Sequence, residues 1–247
     1  MNAVAGEGRS AAPYLVLGGI AAAIGWGLHA SGLLADILRY QKDIVYLVKQ
    51  HLVLVGVSGS LAIGGWVGIG IWLSRPWMAR WAEGAIQAVN MVTSVPTLAK
   101  LALMMTLLGI GALPAIVGLW IATLLPIIRN TYEGIRAVPS HLVDAARGMG
   151  MGPAEILRRV ELPNALFVIF AGVRTAMAVN VGTAPIAFLI GGGGLGELIF
   201  TGIDLQEHGM MLAGAIPTAL LAVTVDFLFG QAQYWLVPRG VNPLRNF

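Results

Sequence analysis

Six stretches are too long and too apolar to be ordinary segments of a water-soluble core: Tyr14–Leu34, Leu52–Leu73, Ala85–Leu108, Leu113–Ile128, Ala165–Ile190 and Met210–Leu236. A helix that crosses the hydrocarbon of a bilayer needs about 20 mainly apolar residues. Within hydrocarbon, only helices and closed barrels satisfy their own backbone. The fourth stretch is short for a crossing unless Gly111 and Ala112 belong to it. Only 11% of the 247 residues are charged and 57% are hydrophobic, whereas a soluble domain carries about 25% charged residues. Spans and short loops use up nearly the whole chain. The expectation is an all-α integral membrane protein of about six transmembrane helices, with no soluble domain. Only Arg9 precedes the long first run, so that run reads as an uncleaved anchor rather than a signal peptide.

Six spans put both termini on one side, and the basic residues say which. Arg9, Arg75, Arg80, Arg129, Arg136, Arg147, Arg158, Arg159, Arg239 and Arg245 share that side, while Arg39, Lys42 and Lys49 lie opposite. Cytoplasmic loops carry the excess of Lys and Arg, so both termini are expected in the cytoplasm. The net charge of +3 therefore reads as topology, not as affinity for nucleic acid. Trp72, Trp77 and Trp81 around one loop, and Tyr234 with Trp235 at the end of the last span, suit an interfacial aromatic belt. A cation-binding cage is the alternative reading of such rings.

One stretch breaks the apolar pattern. Residues 144–163, DAARGMGMGPAEILRRVELP, hold three arginines and three acids between two spans. Pro139-Ser140 opens a helix, with Leu142, Val143, Ala145, Ala146 and Met149 as an apolar stripe. Gly148, Gly150 and Gly152 interrupt it, each less favourable in a helix than Ala by about 1 kcal/mol. Pro153 suits the first turn of a second helix, Glu155 and the pair Arg158 and Arg159 complement its dipole, and Leu162-Pro163 is expected to stop it. The result is an amphipathic helical hairpin on the cytoplasmic surface. It is either a plain interfacial hairpin or a short helix suited to a groove on a partner.

The spacing of this insert resembles the EAA signature of binding-protein-dependent ABC importer permeases, which share a methionine-permease-like fold. The signature reads acid-Ala-Ala, three residues, Gly, nine residues, an aliphatic, one residue and Leu-Pro. Asp144, Ala145, Ala146, Gly150, Val160, Leu162 and Pro163 match it, with Asp for the usual Glu and Val for the usual Ile. The resemblance implies that these residues form a coupling element that docks on a separate ATPase. It covers roughly residues 50–235. SVPTLA (94–99), LLGIGALPAI (107–116), LLPIIRNTYEGIR (124–136) and GGGGLGELIFTGI (191–203) are similar to permeases for quaternary-amine osmoprotectants such as glycine betaine, carnitine and choline. The division implied is an anchor helix and external loop over 1–50, a transmembrane domain over 51–236 with its insert at 139–163, and a cytoplasmic tail over 237–247. Implied partners are cytoplasmic ABC ATPase subunits, an external substrate-binding protein, a second permease subunit and the lipid of a bacterial inner membrane, with no nucleic acid. Lys100 departs from the apolar residues expected after SVPTLA.

No phosphate-binding G-x-x-x-x-G-K-[ST] occurs, so the chain holds no cofactor of its own, and ATP with magnesium is expected on the partner ATPase. There are no cysteines. His29, His51, His141 and His208 lack metal-ligand spacing, and no metal site or catalytic group is expected. GGGGLGE reads as a flexible turn, or as an external element that seals the path or meets the binding protein. Ionisable residues within spans are functional candidates by default, and two basic ones occur, Lys100 and Arg174. Arg174 either pairs with a neighbouring span, where Asp226 has matching depth, or lines the path. A positive charge at Lys100 would favour a substrate bearing a carboxylate, betaine or carnitine over choline. Met177, Asn180 and Thr183 share one stripe, and either let helices pack or line the translocation path. An intramembrane enzyme would need convergent catalytic groups at one depth, and none is present. A non-transporting scaffold, or a permease for another small solute such as an amino acid, are the other readings.

Overall fold

The computed structural model describes residues 32–245 together with 18, 19, 22, 25–27, 29 and 30, and among them every regular element is helical. The expected first span, Tyr14–Leu34, lies largely outside these residues. A short helix α1 (Leu33–Arg39) leads into α2 (Gln41–Leu73), which has 33 residues. At 1.5 Å per residue α2 is about 50 Å long, well beyond the ~30 Å hydrocarbon core. The start expected at Leu52, and the boundary after residue 50, therefore fall inside a continuous helix. Hydropathy marks where side chains meet lipid, whereas packing holds the extra turns: Leu47 joins Leu195, Leu198 and Ala213 in an apolar cluster.

The third expected span, Ala85–Leu108, is not straight. It consists of α3 (Ala79–Ser94) and α4 (Thr97–Leu108), bent by 91° at the junction. Pro96 has no N–H to carry the helix on. Val95 before it is extended, at φ −67° and ψ 128°, as the residue ahead of a proline prefers. Next, α5 (Ala112–Ala122) and α6 (Leu124–Arg136) make one 25-residue crossing. It exceeds the expected Leu113–Ile128 mainly at its C-terminal end.

The insert follows as α7 (Ser140–Gly148) and α8 (Pro153–Ile156). The stop expected at Leu162-Pro163 does not occur. A π turn over Leu157–Glu161 joins α8 to α9 (Leu162–Thr183), and a 3-10 stretch, Ala184–Ile190, extends it. Together they form a 38-residue helical segment, Pro153–Ile190. The wider turn moves the preceding carbonyls out of the way of the proline ring, which in a regular helix clashes with the carbonyl four residues back. Asn164 Nδ2 donates to the Val160 carbonyl oxygen at 2.7 Å, so this carbonyl keeps a partner. The chain ends with α10 (Gly196–Asp204) and α11 (His208–Leu236). Among the described residues four helices are long and apolar enough to cross a membrane, or five when the bent pair counts as one.

Inside lipid, helices associate by close packing rather than by expelling water, so small residues at contacts matter. The main core runs between α2, α5, α6 and α9 and includes Trp66, Leu119, Ile127, Ile128, Ala165 and Ala176. A Cβ on Gly172 would lie 2.5 Å from the Pro126 carbonyl oxygen, and one on Gly70 would lie 2.9 Å from that of Ile128. Those two glycines let α9 and α2 touch α6 backbone to side.

Candidate functional site

The insert is anchored on one face and open on the other. Ala146 is buried, while His141, Asp144, Ala145, Gly148 and Met149 are exposed. Its turn is fixed by backbone bonds. Gly150 takes φ +82°, its N–H donates to the Arg147 carbonyl at 3.0 Å, and the Met151 N–H donates to that of Ala146 at 3.1 Å. This is the paired bonding of a Schellman C-cap, whose left-handed residue is usually glycine. Gly148 instead ends α7 in helical form, and Gly152 is extended at φ −74° ahead of Pro153. Of the three glycines, only Gly150 needs the left-handed region.

Two surface ion pairs decorate the insert, Asp144 with Arg147 at 3.1 Å and Glu155 with Arg159 at 3.3 Å. Exposed pairs of this kind add little. A third is shielded: Arg75, just after α2, meets Glu161 in the π turn at 2.7 Å, with side chains 12% and 17% exposed. It ties the foot of α2 to the foot of α9. Between these elements runs a groove of about 650 Å3, lined by Arg75, Trp77, Val143, Met151, Ile156 and Leu157. Val160, Leu162 and Pro163 are half-buried at the root of α9, and Leu162 packs against the main core. The seven EAA positions thus divide into an outward surface (Asp144, Ala145, Gly150) and a buried or half-buried root (Ala146, Val160, Leu162, Pro163).

The polar residues of the spans separate in the same way. Arg174 on α9 and Asp226 on α11 form a two-pronged pair, Nε to Oδ1 at 2.6 Å and Nη2 to Oδ2 at 2.5 Å. The pair borders a cavity of about 340 Å3 lined by Arg174, Phe227, Gly230, Gln231 and Tyr234. Pairing and contact with open space therefore coexist at Arg174. Met177 and Asn180 differ from the path-lining expectation, because both are buried within the subunit. Met177 fills the space above Gly59, where a Cβ would meet its methyl at 2.5 Å. Asn180 Nδ2 donates to Ser58 Oγ at 2.9 Å. The close approach of α2 and α9 takes both side chains away from any open surface. Thr183 is half-buried and donates back to the Val179 carbonyl at 2.8 Å. Lys100 is buried on α4.

The glycine run is no loose turn. Gly111 donates to the Ile190 carbonyl at 2.9 Å, Gly192 to that of Ala187 at 2.8 Å, and Gly194 to Gln50 Oε1 at 3.1 Å. A Cβ on Gly196 would overlap the Pro185 carbonyl oxygen, 1.9 Å away. Arg245 lies 4.9 Å over the ring of Tyr234 and 5.3 Å over that of Trp235. The chain's own tail therefore occupies those rings. Trp72, Trp77 and Trp81 are each more than half exposed, as a belt requires.

A fold of apolar helices with a capped polar insert at the foot of one crossing narrows the family, and comparison with known proteins decides it. The description "binding-protein-dependent transport system inner membrane component" matches residues 52–240. The chain belongs to this family. Its relatives include the osmoprotectant import permease protein OsmY of Salmonella typhimurium, 48% identical over 216 residues, which covers 87% of this chain and 90% of that one. The choline transport system permease protein OpuBB of Bacillus subtilis is 40% identical and covers 82% and 93%. In fold the chain is similar to an inward facing structure of the MetNI methionine ABC transporter, at a TM-score of 0.72 and 24% identity, over 81% of this chain and 99% of that one. As an inner membrane transport component, this chain has polar contacts that sequence reasoning missed. They are Arg75 with Glu161, Ser58 with Asn180, and buried His51, whose Nε2 lies 3.2 Å from the Val181 carbonyl oxygen. Each joins residues more than 80 positions apart, and no periodicity within one helix points to its partner.

Proposed function

We propose that this chain is a transmembrane subunit of an ATP-binding-cassette importer that takes up a quaternary-amine osmoprotectant of the glycine betaine, carnitine or choline type by alternating access. One observation carries the coupling half of this reading: α7 presents an exposed surface on a fixed turn at the foot of a crossing helix. The names of relatives that are 37–48% identical over most of the chain support the substrate class. In this reading six helices cross a bacterial inner membrane and both termini face the cytoplasm, as the excess of Lys and Arg on that side supports. Asp144, Ala145, Ala146, Gly150, Val160, Leu162 and Pro163 make the socket for a separate ATPase, which holds ATP and magnesium. An external binding protein delivers substrate. A second permease subunit completes the path, and two permease proteins of one organism, OsmY and OsmW, at 48% and 39% identity support a pair of unlike subunits.

The test is ATP-dependent uptake by the complex in proteoliposomes, with radiolabelled glycine betaine, carnitine and choline beside a panel of amino acids. Uptake of a quaternary amine, abolished by Gly150→Pro, is the expected result. Uptake of an amino acid alone would overturn the substrate class, and failure of the ATPase to bind would overturn the importer.

A further inference from the structure

Arg174 and Asp226 carry charge at a depth where lipid does not accept it. Counted from Leu162 and Leu236, the cytoplasmic feet of α9 and α11, they lie about 18 and 15 Å in at 1.5 Å per residue. That is near the middle of a hydrocarbon core about 30 Å thick. Yet their side chains are 40% and 39% exposed on the surface of the subunit. Ionisable residues at such depth face protein or water, not acyl chains. A second pair stands at a similar level: Arg129 with Glu133 on α6, at 2.8 Å, 53% and 54% exposed. These two flank Asn130, which packs on Gly172 two residues before Arg174. Other exposed surfaces are apolar, as lipid requires: Val45, Val53, Leu61 and Ile69 on α2, and Leu98, Leu103 and Leu107 on α4. The surface where α6, α9 and α11 carry the two pairs is therefore not a lipid face.

The pair between α9 and α11 is also not closed on itself. Asp226 takes the Nε and Nη2 prongs of Arg174, and among the described residues Nη1 has no hydrogen-bond partner. That nitrogen lies beside Gly230, where a Cβ would sit 3.3 Å from it, so the missing side chain keeps the approach clear. The cavity of about 340 Å3 opens here, within the range of about 300–1,000 Å3 of small-molecule sites. Gln231 and the rings of Phe227 and Tyr234 complete its walls. Arg245 lies over Tyr234, which leaves Phe227, 59% exposed, as the free aromatic face. A guanidinium edge binds a carboxylate through charge-assisted bonds. An aromatic face attracts a quaternary ammonium. The cavity thus offers a partner to each half of one zwitterion.

We infer that the cavity beside Arg174 is a contact point for substrate on the transport path, taking the carboxylate of a zwitterionic quaternary amine on Arg174 Nη1 and its ammonium against Phe227. The inference rests on the importer reading above and deepens it. Glycine betaine and carnitine make both contacts. Choline has a hydroxyl in place of the carboxylate and keeps only the aromatic one. Because Asp226 already holds two prongs of the guanidinium, a passing carboxylate meets only the third. The hold is weak, as release to the far side requires.

The experiment uses the absence of cysteine from the chain. Gln231→Cys puts a lone thiol on the cavity wall, and Leu103→Cys puts one on the apolar face of α4. Each full complex, in lipid nanodiscs without the binding protein, is treated with a membrane-impermeant thiosulfonate, and labelling is read on this chain. Only a thiolate reacts, so Gln231→Cys is expected to label and Leu103→Cys is not. Glycine betaine should slow labelling of Gln231→Cys saturably, at about a tenth of the choline concentration that does the same, which is the worth of one charge-assisted hydrogen bond. Gly230→Val crowds Nη1 while sparing the ion pair and the helix, and should remove that difference. So should the uncharged double variant Arg174→Met with Asp226→Leu, an exchange that buried pairs often tolerate. Gly230→Val alone decides if the double variant does not assemble. Failure of Gln231→Cys to label, protection by neither compound, or equal protection by both would overturn the proposal. So would a betaine preference that survives in assembled Gly230→Val. Wild-type uptake in proteoliposomes tests the importer reading separately. Absence of any quaternary-amine uptake removes both, whereas normal uptake without protection removes only the site.

Discussion

A methyl group on Gly172 would sit 2.5 Å from both Asn130 Cβ and the Pro126 carbonyl oxygen, while one on Gly84 would meet nothing within 4 Å. Gly172→Ala must therefore push α9 off α6, and should lower stability by about 1–3 kcal/mol, the usual range for overpacking. Gly84→Ala on exposed α3 should stabilise by up to about 1 kcal/mol through helix propensity alone. Thermal unfolding of the two variants in detergent checks the contrast, and equal shifts would contradict it. The 33 glycines look alike in the sequence, because propensity says what glycine costs a helix and not what lies across from it. Arg174 and Asp226 were easier to match, since two charges at equal depth in lipid have few alternatives to each other. Asn180 and Ser58 were not. Small polar residues are common at helix contacts, and their pairing depends on the register between α2 and α9.

Two prolines show how elements were and were not legible. Pro96 breaks the third span by 91°, whereas Pro163 sits in unbroken helix. The sequence pattern led to the opposite expectation at both. The difference lies in the preceding residues: Val95 turns extended, while Leu157–Glu161 widen into a π turn. That turn is held from outside by Arg75, through Glu161. Arg75→Met leaves a shielded carboxylate without its partner, and is expected to lower stability by about 1–3 kcal/mol, less than for a fully buried pair. It should also reduce substrate moved per ATP hydrolysed in the reconstituted complex. The double variant Arg75→Met with Glu161→Leu should recover part of the stability, because the two losses are one interaction. Simple additivity of the single effects would show that the pair does not join the two elements.

At the scale of the molecule, composition and hydropathy disclosed the all-helical membrane class, but not where helices outlast the membrane. Orientation can be tested directly, because the chain has no cysteine. Single cysteines at Met149 and Ile110, 69% and 79% exposed, should label from opposite sides with an impermeant thiol reagent, Met149→Cys from the cytoplasm and Ile110→Cys from outside. Labelling from the same side would overturn the topology. The uninterrupted run from Pro153 to Ile190 has a mechanical consequence. At 1.5 Å per residue it is a lever about 57 Å long, with the polar insert at one end and the packed glycine turn at the other. Rocking such a lever by ten degrees about one end carries its far tip through about 10 Å, by the same length estimate. With the ATPase seated on the insert as proposed, a small closure there would thus arrive at the far end of the run as a displacement wider than a helix radius.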